Sequence, residues 1–253
     1  DTRVKELAGG ATEMNLDSDW AGYAIVGERY PMIKATDWVR NPEGKIIVDP
    51  VTGLPKAGDI VAVGTSDPTI RIGLNSVMKW KGFSLAATFD YRGGHYTRPS
   101  SEYNMLFTGA SYISGISGRQ RFVFPNSVIA ETDASGNVTY RENTDITVND
   151  AGKTFWNGIY KQGRANQIIS AASWRLRELS LGYDVPKKYL KKVGFLQRAS
   201  VSLVGRNLFM WTPSTNIWGD PDFTGSGNGN VGGFSGTNNV GQRSYGFNLL
   251  LSF

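Results

Sequence analysis

Side chains able to do covalent or metal chemistry are sparse. His95 is the only histidine and cysteine is absent. A His-based triad, a multi-histidine zinc site, a Cys-ligated metal and a disulfide framework are excluded together. His95 follows Gly93-Gly94 at a strand exit. It reads as a loop residue, with ligand contact as its functional alternative. Gly227-Asn228-Gly229-Asn230-Val231-Gly232 matches GxGxxG in form. A dinucleotide site needs that run to follow a strand and open a helix, so that the pyrophosphate meets a helix N-terminus. Here it lies between strands, and the chain contains no GxxxxGK. Asp133, Asp145 and Asp150 lack the spacing of a calcium loop. The expectation is a non-enzyme with no catalytic residue, no metal and no cofactor.

The remaining polar candidates are binding groups. Asp90 and Arg206 fall on the polar side of alternating runs and could touch a substrate or simply wet a wall. Trp218 and Phe223 are loop aromatics that could stack on glycans. Lys187, Lys188, Lys191, Lys192 and Arg198 form a basic cluster, read either as a solvated turn or as a contact for phospholipid headgroups. Lys and Arg exceed Asp and Glu by 27 to 22, a net charge of +5. The excess is dispersed rather than striped along one element, so nucleic acid is not an expected partner.

The elements that must carry these groups have a period of two. Arg243 to Phe253 places Tyr245, Phe247, Leu249, Leu251 and Phe253 on one face, against Ser244, Gly246, Asn248 and Ser252 on the other, with Leu250 the apolar intruder. Ile70 to Trp80 and Phe83 to Arg92 alternate on either side of Lys81-Gly82, which reads as a hairpin. Ser173 to Val185 alternates in two registers: Trp174 and Leu176 are in phase, and Leu179, Leu181 and Tyr183 are one residue off. A β-bulge near Arg177-Glu178 would reunite them on one face. Arg198 to Thr212 turns Ala199, Val201, Leu203, Gly205, Phe209 and Trp211 outward, with Asn207 as an exception.

Both hairpin runs are about 10 residues long, the length a tilted strand needs to cross a bilayer. No run approaches the roughly 18 consecutive apolar residues of a membrane helix. Between the runs the chain is turn-rich. Ala8 to Thr69 reads as an elaborated loop with small hairpins, with short strands at Ala21 to Val26 and Lys45 to Val48. Gly93 to Ala172 and Pro213 to Gln242 read as further long loops, the first with a hairpin-like turn at Asp133 to Asn137. Pro186 to Gln197 reads as a short basic turn with one or two turns of helix. Loops this long are at odds with a compact domain, but outer-membrane barrels carry long extracellular loops and short periplasmic turns.

The aromatic residues fit the same architecture. With the C-terminus periplasmic, Trp80, Phe83, Tyr183 and Phe253 fall at the periplasmic ends of the strands, and Tyr91, Trp174, Trp211 and Tyr245 at the outer ends. Such pairs of belts mark the two membrane interfaces. The fold class expected is all-β: an antiparallel transmembrane β-barrel segment with long extracellular loops. A soluble secreted all-β glycan-binding module is the alternative.

Several motifs carry a family resemblance. Leu176-Arg177-Glu178-Leu179-Ser180-Leu181-Gly182-Tyr183 with Pro186 leads to Val204-Gly205-Arg206-Asn207-Leu208-Phe209-Met210-Trp211-Thr212 and then to the closing run Arg243 to Phe253. With Ile72-Gly73-Leu74-Asn75, Arg121 to Val128 and the loop Tyr30 to Pro55, these resemble the C-terminal end of SusC-like (SusC/RagA-type) TonB-dependent transporters of the Bacteroidetes type. The resemblance implies a barrel of about 22 strands with an N-terminal plug, in the outer membrane of a Gram-negative bacterium. It implies energy coupling to TonB, a SusD-like lipoprotein lid, and import of an oligomeric nutrient such as a glycan or peptide. Residues 1–253 would then be the C-terminal portion of the barrel, with the plug and the TonB-contacting segment outside this chain. Recruitment of such a barrel to another outer-membrane machine stays open.

Overall fold

A computed structural model describes residues 3–16, 22–118, 120–148, 153–192, 194–222, 234–235 and 241–253. Asp150, Phe223 and the run Gly227 to Gly232 lie outside the described residues. The chain divides into two compact units, one of residues 1–67, 96–169 and 224–238 and the other of residues 68–95, 170–223 and 239–253.

The second unit is one antiparallel sheet of five long strands: β1 (Ile70–Trp80), β2 (Phe83–Gly93), β3 (Ser173–Asp184), β4 (Arg198–Trp211) and β5 (Ser244–Ser252). Each strand pairs with its sequence neighbour, giving the order β5-β4-β3-β2-β1. β1 and β2 meet across Lys81-Gly82, both at positive φ (46° and 90°), as a tight type I′ hairpin requires. The bulge expected near Arg177-Glu178 is present. Leu176 and Glu178 of β3 oppose the adjacent residues Phe89 and Thr88 of β2, which leaves Arg177 as the extra residue. On the other side the same two residues oppose Phe209 and Arg206 of β4. Asn207, the exception in the outward pattern, sits there at φ 52°, a left-handed conformation that Asn tolerates better than most residues.

With the bulge in place, the apolar side chains align across strands. One row runs Ile72–Tyr91–Trp174–Trp211, the next Leu74–Phe89–Leu176–Phe209. Toward the other end lie Met78–Leu85–Leu181–Leu203–Phe247 and Trp80–Phe83–Tyr183–Val201–Leu249. Much of this face is exposed, including Leu74, Met78, Trp80, Leu203, Trp211, Phe247 and Leu249. The opposite face carries rows such as Ser84–Gly182–Ser202–Asn248, where the Asn248 amide donates to Ser202 Oγ at 3.4 Å.

The first unit packs conventionally. Trp38, Val48, Phe124, Ile129, Val148 and Phe155 form a buried cluster. Phe155 sits at its centre, edge-on to Phe124, Trp156 and Tyr160 with centroids 5.4, 4.7 and 5.6 Å away. Gly163 leaves no room for a Cβ against the Trp38 ring, so the segment that follows Tyr160 can close over it. The turn expected at Asp133 to Asn137 does join a hairpin, Ser127–Thr132 with Val138–Glu142. The Asp133 carboxylate accepts the Ser135 and Asn137 amides, both at 2.8 Å.

The reading of Ala8 to Thr69 as a loop with small hairpins is corrected. This stretch holds a four-stranded antiparallel sheet of Glu13–Asn15, Tyr23–Ile25, Met32–Trp38 and Ala57–Thr65. Two register shifts, at Ile33/Lys34 and Thr36/Trp38, break the alternation of Met32–Trp38. A period-two search therefore misses it. A helix at Ser100–Phe107 was likewise not expected. The basic turn after Val185 contains a short helix, Lys187–Leu190, directly after Pro186. Among the described residues no helix is long and apolar enough to cross a membrane.

Candidate functional site

The polar face of the five-stranded sheet gathers charge where β3 bulges. Arg175 has inward parity, and the inserted residue brings Arg177 and Glu178, adjacent in sequence, onto that same face. Arg175 is buried. Its Nη1 donates to Asp220 Oδ2 at 2.7 Å, its Nη2 makes a second, very short bond to Asp220 Oδ1, and its Nε lies 3.2 Å from Asp222 Oδ2. The paired donors match the fork geometry of a guanidinium on a carboxylate. Arg177 Nη2 bridges Asp90 at 2.6 Å and Asp222 at 2.7 Å. Arg92 adds longer contacts to Asp90 (3.3 Å) and Asp222 (3.4 Å).

Three guanidiniums therefore face three carboxylates, two of them supplied by the Asp220–Asp222 loop. That loop is self-braced, because the Asp222 amide donates to Asp220 Oδ1 at 2.9 Å. Burial alone would raise the Asp220 carboxyl, but the Arg175 bonds, the Asp222 amide and the charges of Arg175 and Arg177 together hold it below the ordinary carboxylate range. A fourth pair, Arg206 Nε to Glu178 at 2.9 Å, is solvent-exposed.

A cavity of about 280 Å³ adjoins the cluster, lined by Arg175, Arg177, Asn207, Phe209, Asp220 and Arg243 among others. It lies where β4 extends past the end of β5, whose last partner is Arg206 opposite Ser244. The Arg243 guanidinium sits 6.0 Å from the Phe209 ring centroid. The chemistry offered is electrostatic and hydrogen-bonding: a polar wall that holds a loop in place beside a pocket rimmed by guanidinium. Among the described residues no three His, Asp or Glu side chains gather as ligands for a cation.

The four residues singled out from the sequence are dispersed. Asp90 belongs to the cluster and is engaged by Arg177. Arg206 belongs to the separate Glu178 pair. His95 is buried rather than displayed on a loop, and its backbone carbonyl accepts the Ala171 amide at 3.0 Å. Trp218 is half-buried in the loop after β4, and its backbone amide donates to Asn216 Oδ1 at 3.2 Å. Arg175, Arg177, Asp220 and Asp222 were missed. The one available signal was the parity of Arg175, which placed an arginine beside Asp90 on the polar face.

The aromatic residues singled out at strand ends fall into register rows. Tyr91 and Trp174 pair at 4.6 Å between ring centroids, as do Phe83 and Tyr183. Phe253 stacks on Phe195 at 5.9 Å. Tyr245 faces Gly205, and the Leu176–Phe209 row separates it from the row of Trp174 and Trp211.

An exposed apolar face backed by a charged one defines the class of fold as an antiparallel β-wall. Solved structures share it. This chain is similar to the RagAB peptide transporter (17% identity, TM-score 0.60, covering 99% of this chain and 25% of that chain). It is equally similar to the RagAB peptide importer in its closed-closed state (18% identity, TM-score 0.60, 98% and 25%) and in its open-open state (17%, 0.59, 98% and 25%). The chain thus spans about a quarter of the length of the solved structures it matches. No protein-family model matches it, and no curated protein matches it by sequence.

Proposed function

We propose that the chain is the C-terminal barrel portion of a SusC-like TonB-dependent transporter in the outer membrane of a Gram-negative bacterium. One observation carries this reading: the five-stranded sheet turns a continuous set of large apolar side chains outward, in register, over a polar and charged face. In water such a surface would drive association; against lipid it is the expected exterior of a barrel, with the other face on a wet lumen. The likeness of fold to a quarter of the RagAB chains supports it, as do the motifs that resemble the SusC-like family.

On this reading Trp80, Phe83, Tyr183 and Phe253 lie at the periplasmic interface, and Tyr91, Trp174, Trp211 and Tyr245 at the outer one. The C-terminus is periplasmic. Strand tilt makes a register row climb around a barrel, so Tyr245 need not share a row with Trp211 to share its depth. Among the described residues β1 and β5 are paired on one side only. Open edges in hydrocarbon cost several kcal/mol per unpaired group, so strands outside these 253 residues cover them. The plug and the TonB contact also lie outside. The longer loops meet a SusD-like lipoprotein lid, and the cargo is an oligomeric nutrient. The solved neighbours are described as peptide transporters, which makes peptide the first cargo to try.

Carbonate extraction tests the core of the proposal. The protein is expected to stay with membranes until detergent is added, and release by carbonate or salt alone would defeat the reading. Co-purification of a lipoprotein from detergent extracts tests the partner.

A further inference from the structure

We infer that the short-turn end of the sheet is a binding surface for anionic phospholipid headgroups. This rests on the membrane reading above but goes beyond it. The β1–β2 turn and the β3–β4 connection touch, because the Asp184 amide donates to the Gly82 carbonyl at 2.8 Å. The end of β5 joins them, with the Gln197 amide on the Ser252 carbonyl at 2.8 Å and Phe195 stacked on Phe253. Seven cations gather here: Lys79, Lys81, Lys187, Lys188, Lys191, Lys192 and Arg198. Asp184 is the one carboxylate on these two segments, and it pairs with Arg198 at 3.3 Å. Among the described residues none of the six lysines is ion-paired, and all are exposed.

Their setting differs from that of a merely solvated turn. Lys81 Nζ sits 4.9 Å from the Trp80 ring centroid and Lys188 Nζ 4.8 Å from that of Tyr189. Trp80, Tyr189, Phe195 and Phe253 are all exposed beside these cations. Lys81 occupies a left-handed position that Asn, Asp or Gly would fill at lower cost, so the turn's backbone does not call for lysine. Leu190 is buried, which anchors the short helix and holds its lysines at the rim. Amphipathic aromatics mark the headgroup depth of a bilayer, and lysines at that depth attract anionic lipid. The opposite end of the sheet differs in kind. There Arg92, Arg175 and Arg177 are neutralised by Asp90, Asp220 and Asp222. Arg243 is also exposed at that end, so the short-turn end, with its six exposed lysines, is the stronger match for an acidic leaflet.

The test uses the intact protein purified in detergent, with native mass spectrometry to read retention of phosphatidylglycerol against phosphatidylcholine of the same chains. The expected result is at least about tenfold preference for phosphatidylglycerol, weakened by added salt. The variant K187Q/K188Q/K191Q/K192Q, which changes only exposed side chains, is expected to bring the preference to within about twofold. Equal retention of the two lipids by the wild type, or an unchanged preference in the variant, overturns the inference. If glycerol 1-phosphate at matched concentration displaces the lipid as well as free phosphatidylglycerol does, the surface takes a soluble phosphate and the assignment to membrane lipid fails. Release of the protein by carbonate would defeat the membrane reading. Retention in the membrane with no lipid preference would defeat only this inference.

Discussion

The two units spend their apolar residues in opposite ways. In the first, Trp38, Ile129, Val148 and Phe155 are turned inward and aromatic rings interlock around Phe155. In the second, residues of the same kinds, such as Leu74, Phe247 and Leu249, are turned out, and the other face holds the buried Arg175 with the half-buried Asp90. The first unit has one notable buried charge of its own. Glu102 is buried and accepts the Tyr160 hydroxyl at 2.5 Å, and burial pushes its carboxyl up to about 7 despite that bond and the charge of Arg98. Burial favours the neutral form of the Glu102 carboxyl, whereas in the second unit Asp90, Asp220 and Asp222 each meet a guanidinium. The contrast teaches that residue type alone does not decide burial: the same apolar kinds are interior in one unit and exposed in the other.

The contrast predicts unequal costs. The largest belongs to the ion-pair cluster. Asp220→Ala removes both Nη partners of the buried Arg175, leaving only its Nε contact to Asp222, and is expected to cost about 3–5 kcal/mol in thermal or denaturant unfolding. The double variant Arg175→Met/Asp220→Ala should recover much of that, and a double as unstable as the single would show that the pair is not coupled. Phe155→Ala in the first unit is expected to cost a similar 3–5 kcal/mol. Leu74→Ala on the outward face should cost well under 1 kcal/mol in a bilayer, because lipid is as apolar as the leucine it replaces. Equal losses at Phe155 and Leu74 would erase the distinction between the two units.

Facing within β5 is the next test. Leu249→Arg should destabilise by roughly 2–4 kcal/mol in lipid, while Asn248→Arg is tolerated; indistinguishable variants would undo the assignment of faces. The buried carboxyl gives a smaller, pH-dependent effect. The folded-state value of Glu102 is raised above its unfolded value, so its stabilising contribution is present below about pH 4.5 and is lost as pH rises through about 7. Unfolding of the first unit should therefore be easier at pH 8 than at pH 5 by up to about 3 kcal/mol. Glu102→Gln should flatten that slope, and a slope that persists would place the titration elsewhere. An effect as small as that of Leu74→Ala is expected at the exposed Arg206–Glu178 pair, where Arg206→Ala should change stability by less than about 1 kcal/mol.

What the sequence determined by itself was the periodic part. Alternation located all five long strands, the Lys81-Gly82 turn and the bulge at Arg177-Glu178, because a period of two is a local property of a strand with two different faces. The Asp133 to Asn137 turn was legible for the same reason, since its chemistry is contained within a few residues. Only the tertiary structure decided the rest. The strand Met32–Trp38 hid behind its register shifts, which exist only through pairing with Ala57–Thr65. The buried state of Glu102 depends on Tyr160, which is distant in sequence. The charged cluster joins β2, β3 and the loop after β4, and nothing in the spacing of Asp90, Arg175 and Asp220 announces that their side chains meet. Local periodicity is set by neighbours along the chain; ion pairs and burial are set by neighbours across it.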